Sequence, residues 1–121
     1  MASNTIRRLA GPVTLSTTLT TNIYNPPTFS AGVGTQNAQY GILRHLHIAN
    51  RTGSAATFTL YIGATGANAA GTEFFVAKSV AANDVYDWYG ALRFDIADFL
   101  VGGAGTATAL TLILEGEVGV I

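Results

Sequence analysis

His45 and His47 stand two residues apart in ILRHLHIA, residues 42–49, an alternating segment that reads as a β-strand. A period of two sends both imidazoles to one face, where a histidine pair is a beginning toward a transition-metal site. Such a site needs a third ligand, and no nearby Asp, Glu or His supplies one. Leu43 has the same parity as the two histidines. That favours the plainer reading of hydrogen-bonded imidazoles on a half-buried or interfacial face. No metal and no cofactor is expected.

The other chemistry-bearing groups also have plain readings. Asp84, Asp87, Asp95 and Asp98 lie close in sequence, and paired carboxylates can serve acid–base catalysis or hold calcium. Their spacing is not that of an EF-hand loop, and Asp at strand ends commonly bonds the local backbone, so these read as turn acids. Glu115 and Glu117 share a strand face around Gly116. Solvent exposure is the simple expectation, and a functional version sets them against Arg7, Arg8 or Arg44 of a neighbouring subunit. Gly102-Gly103-Ala104-Gly105-Thr106 lacks the Gly-Lys-Ser/Thr ending that cradles phosphate and reads as a flexible turn. Tyr86 and Trp88 share one face with Asp84, while Tyr89 projects to the other. Such aromatics stack on sugars, plug a core or anchor an interface, and core or interface is the stronger reading. Spacing picks out no Ser or Thr paired with a histidine base, so no catalytic residue is expected.

Strands must position these groups. A second alternating run, AATFTLYI (residues 55–62), follows the turn-like Asn50-Arg51-Thr52-Gly53-Ser54, and the two runs read as a hairpin. Asn50-Arg51-Thr52 also matches a glycosylation sequon, but the turn is the better account of it. Further strands are expected at 73–80, 85–89, 92–96 and 109–118, with a single helical turn near Ala97–Leu100 and a small-residue loop over Gly63–Gly71. Short strands at this spacing predict an all-β antiparallel β-sandwich, with the jelly-roll among the windings it allows. Its expected core is Ile42, Leu46, Ile48, Phe58, Leu60, Ile62, Phe74, Val76, Leu92, Phe94, Leu110, Leu112 and Leu114.

Residues 1–40 differ. They hold all three prolines, and Asn25-Pro26-Pro27 interrupts any ladder. Val13–Leu19 alternates briefly as an edge strand, and Ser30–Gln39 is a loop by composition. The segment is expected to form an extended N-terminal arm with one edge strand, carrying inter-subunit contacts through Arg7 or Arg8. Residues 41–121 form the sandwich body of a single domain.

Composition narrows the partners. Of 121 residues, 11% are charged and 49% hydrophobic, against about 25% charged in an ordinary soluble domain. So thin a charged surface suits a subunit buried in an assembly. The net charge of −1 and dispersed basic residues argue against nucleic acid. No apolar run is long enough for a membrane helix, the N-terminus lacks a signal-peptide pattern, and there is no cysteine.

The segments LRHLHIANRTGSAATFTLYIGATG, SVAANDVYDWYG, LRFDIADFL and ALTLILEGE together resemble, over about residues 41–118, a small β-sandwich recurring in virion proteins of tailed bacteriophages. The resemblance implies a non-enzymatic structural protein, foremost a capsid decoration (cement) protein on the outside of the major capsid protein shell. It further implies a homo-oligomer, with a trimer favoured, located in a virion assembled in the host cytoplasm. Binding only the assembled shell would stabilise that shell by mass action. The alternative is a neck, tail or appendage protein, including a receptor- or glycan-binding module using Tyr86 and Trp88. Expected interface residues are Arg7, Arg8, Tyr24, Tyr86, Trp88, Glu115 and Glu117.

Overall fold

The computed structural model describes residues 5–25, 39–64, 71–95 and 98–120. The Pro26-Pro27 break, most of the loops expected at 30–39 and 63–71, and the positions of Ile96 and Ala97 lie outside the described residues. Among the described residues there are eight strands: β1 Thr5–Thr14, β2 Asn22–Tyr24, β3 Gln39–Asn50, β4 Ala56–Ala64, β5 Glu73–Val80, β6 Asp84–Phe94, β7 Asp98–Ala104 and β8 Leu110–Val120. They form two four-stranded antiparallel sheets, ordered β1-β8-β3-β6 and β2-β7-β4-β5. The pairing is nested: β1 with β8, β2 with β7, β3 with β6 and β4 with β5. β3–β8 and β4–β7 pairing then completes each sheet. The all-β antiparallel β-sandwich expected from the alternation is the observed fold.

One apolar face from each sheet closes the core. Leu46, Ile48, Leu112 and Leu114 from the first sheet meet Phe58 and Leu60 from the second, all fully buried. The segments read as an opening hairpin do not pair with each other, because β3 and β4 lie in opposite sheets. The Asn50–Ser54 turn carries the chain across the core, so each strand can turn its own apolar face inward. Asn50 holds this crossing and is 1% exposed. Its amide nitrogen donates to the carbonyls of Ser54 (2.9 Å) and Val80 (3.1 Å), and its oxygen accepts from the Thr52 amide (2.9 Å) and hydroxyl (2.7 Å). The side chain is consumed by the turn.

Where the core expectation failed, a bulge displaced the alternation. The pairing of β3 with both neighbours breaks between Leu43 and His45. The phase shifts by one there, so Leu43 is fully buried and Ile42 only half-buried. On β5, Val76 and Ala77 together oppose Thr59, Ala77 has a φ of 43°, and Val76 turns outward to 68% exposure. Phe75 takes the inward role, 5.1 Å from Phe58 ring to ring. Ile62, Phe74 and Leu92 line the border of the core, partly buried.

Two further expectations are corrected. Asp98–Ala104 is neither a helical turn nor a flexible glycine turn but strand β7, buried from Leu100 to Ala104. Gly102 is required there: its φ is +149°, and a Cβ would overlap the Thr59 carbonyl of β4. The strands expected at 85–89 and 92–96 run as one, β6.

Residues 5–14 also depart from the arm reading. They form β1, the edge strand of the first sheet, in register with β8 from Thr5↔Val118 to Thr14↔Thr111. Beyond β1, Leu15 still donates to the Leu110 carbonyl while the Ser16 carbonyl accepts from Ala104 of β7. The segment thus passes from one sheet to the other as part of the sandwich. Its sparse apolar pattern suits an edge strand, which buries only one side.

Candidate functional site

β3 is flanked by β8 on one side and β6 on the other, and on its outer face these neighbours bring acids to the histidine pair. In register, His45 lies opposite Glu115 of β8 and Tyr89 of β6, and His47 opposite Asp87 of β6. His45 Nε2 and His47 Nδ1 each donate to the same oxygen, Asp87 Oδ1, at 2.7 Å. His45 Nδ1 donates to Glu115 Oε1 at 3.1 Å. The Tyr89 ring lies flat on the His45 imidazole, with centroids 4.5 Å apart and planes 2° from parallel. His45 is therefore held at both nitrogens and on one ring face.

The electrostatics follow from this geometry. Burial alone would pull the His45 imidazole down. The hydrogen bonds to Glu115 and Asp87, with the charges of those carboxylates, outweigh it and hold His45 above the usual histidine range. Asp87 is held below the usual carboxylate range, first by the hydrogen bond from His45 and then by that from His47. The cluster stays in reach of solvent, with side-chain exposure of 22% at His45 and 32% at Asp87. An open hollow of about 280 Å³ lies beside His45, lined also by Ile6, Arg44 and Glu117.

Asp87 separates from the other acids in the expected group. Asp84 accepts from the Val85 amide, Asp98 from the Asp95 amide, and Asp95 from Arg93, all local duties. Asp87 sits inside β6, and its bonds reach across the sheet. Glu117 forms an ion pair with Arg44 of the same chain at 3.3 Å, and Arg8 lies opposite Glu115 in the β1–β8 register. Of the charge pairings imagined between subunits, Arg44 with Glu117 thus forms within one chain.

The remaining expected interface residues are scattered. Tyr86 and Trp88 pack, half-buried, on the core side of β6; Trp88 meets Phe74 edge-on at 5.1 Å. Tyr24 lies inside the subunit at 8% exposure, edge-on to Phe94 at 5.6 Å. Ile23 beside it is partly buried and also packs against the core. Arg7 and Arg8 are exposed on β1 beside a cavity of about 340 Å³ that also touches Ile23 and Tyr24. Sequence reasoning named His45, His47, Asp87 and Glu115 separately but did not assemble them, and Tyr89 was seen only as an aromatic. Comparison with family models, curated proteins and solved structures finds no match.

Proposed function

We propose that this chain is a non-enzymatic structural protein of a tailed-phage virion, a capsid decoration protein binding the outside of the major capsid protein shell as a homo-oligomer. The observation that carries the reading is where its exposed apolar side chains lie. Ile6 is on β1, Val76 on β5, and Val85 and Tyr89 on β6, all edge strands. An edge strand offers unpaired backbone groups, and adding apolar side chains to it favours association with another chain. With 11% charged residues, the surface is suited to burial among other subunits.

Two further points support the virion context. The sequence resemblance over about residues 41–118 is to virion sandwiches. We read the nested strand pairing as a jelly-roll winding, an architecture used by viral capsid domains and also by lectins and cupins, and it supports the context by analogy. The packing of Tyr86 and Trp88 against the core disfavours the sugar-stacking alternative. Quantifying the protein in purified virions tests the proposal. A copy number comparable to that of the major capsid protein is expected; a count limited to one small ring moves it to the neck or tail, and absence from the particle refutes both.

A further inference from the structure

The outer-face cluster has the parts of a metal site, and this inference is independent of the virion reading. Donor atoms of His45, His47 and Asp87 all lie within 4.8 Å of one another. Two strands deliver them: the histidines from alternate positions of β3 and the carboxylate from the middle of β6. We propose that His45 Nε2, His47 Nδ1 and an Asp87 carboxylate oxygen bind a divalent first-row transition ion such as Zn2+, with solvent in the remaining position.

Five features of the site favour an ion over a surface hydrogen-bond network. Imidazole and carboxylate donors suit these ions, whereas Mg2+ and Ca2+ prefer all-oxygen shells. The second nitrogen of His45 is held by Glu115, the carboxylate–histidine arrangement that fixes tautomer and ring direction behind a metal ligand. Tyr89 stacked on one face of the ring restrains it further. Asp87 and Glu115 supply negative charge to balance a dication, and the partly exposed position leaves a route of entry.

Binding requires a rearrangement of the three side chains, whose donor atoms now lie within 4.8 Å of one another. Zinc bonds of about 2.0–2.2 Å to tetrahedral donors set donor separations near 3.4 Å. The two contacts to Asp87 must lengthen from 2.7 Å and the two imidazole nitrogens must draw together, and rotation of the partly exposed side chains supplies both. On binding, His45 keeps its Nδ1 proton on Glu115 and releases the Nε2 proton. His47 presents Nδ1 as a lone pair and carries its proton on Nε2.

The test is calorimetric titration of the untagged full chain, freed of metal by chelator, with Zn2+, Mg2+ and Ca2+. Saturable binding of one Zn2+ per chain, on the order of micromolar or tighter, is expected. Asp87→Asn and His47→Ala should abolish it, and Glu115→Gln should weaken it about 10-fold with unchanged stoichiometry. Zinc binding that survives both Asp87→Asn and His47→Ala unchanged, or no saturable binding at all, overturns the assignment. Co2+ absorption of the unsubstituted protein gives a reading that needs no variant. Intense visible bands of a low-coordinate site support it, and a spectrum identical to that of Co2+ in buffer overturns it.

Discussion

Tyr24 offers a sharp test of how the two sheets close. Its ring is buried against Phe94, yet its hydroxyl has no hydrogen-bond partner among the described residues. Gly41 lies directly beneath, where a Cβ would come within 2.6 Å of the hydroxyl oxygen. Leaving a buried hydroxyl unpaired costs about 1–3 kcal/mol. Tyr24→Phe keeps the edge-on contact and deletes only that group, so the variant should be more stable by about 1 kcal/mol. For a chain of this length that raises Tm by about 4 °C. The pH dependence has a definite sign. Burial pushes the phenol above its ordinary value of 10.0, with Arg7 partly opposing. The unfolded chain therefore releases its proton first, so stability is intact below pH 10 and falls as pH rises toward the folded-state value. The slope in that window is about 1.4 kcal/mol per pH unit, and Tyr24→Phe should remove this contribution. Paired urea melts at neutral and alkaline pH measure both effects. A variant less stable than the parent at neutral pH, with an unchanged alkaline limb, would refute the unpaired, buried hydroxyl.

Three other substitutions probe the frame. Leu112→Ala, at a fully buried position in β8, should cost about 2–5 kcal/mol in a denaturant melt; no loss would mean the inward face of β8 is misassigned. Asn50→Ala removes the donor to the Val80 carbonyl and the acceptor of the Thr52 amide, leaves the Ser54 carbonyl only the Thr52 hydroxyl, and should lower stability by about 2 kcal/mol in a denaturant melt. Gly102→Ala forces a Cβ into the Thr59 carbonyl at a left-handed φ and should cost about 3 kcal/mol; thermal unfolding that matches the parent would show β7 not to pass so close to β4.

Sequence alternation made the strands visible but not their partners. LRHLHIA and TFTLYI each show which side chains share a face, because parity is a local property. Nothing local says whether two consecutive strands pair edge to edge or cross to opposite sheets. The Asn50–Ser54 turn looks like a hairpin loop until its asparagine is seen bonded to both Ser54 and Val80. Bulges hid the rest. One shift at Arg44 put Leu43 in the core while leaving its parity-mates His45 and His47 outside. The glycines of β7 imitate a flexible turn by composition, although Gly102 marks a place where two strands crowd together.

The same distinction explains why the histidine cluster was not assembled from the sequence. Asp87 is 42 residues from His45, and Glu115 is 70. Both parities needed were legible: Leu46 and Ile48 inward put His45 and His47 outward, and Tyr86 and Trp88 inward put Asp87 and Tyr89 outward. A one-residue slip of β6 would turn Asp87 into the core and Tyr86 and Trp88 into solvent, so apolar burial fixes which face the acid occupies. The missing step was adjacency. In a nested winding of eight strands the third pairs with the sixth, and the eighth returns beside the third. Given that winding, an outward carboxylate on β6 and another on β8 must border an outward histidine pair on β3. Tyr86 and Trp88, expected at an interface, thereby contribute through the core: their burial holds Asp87 in place.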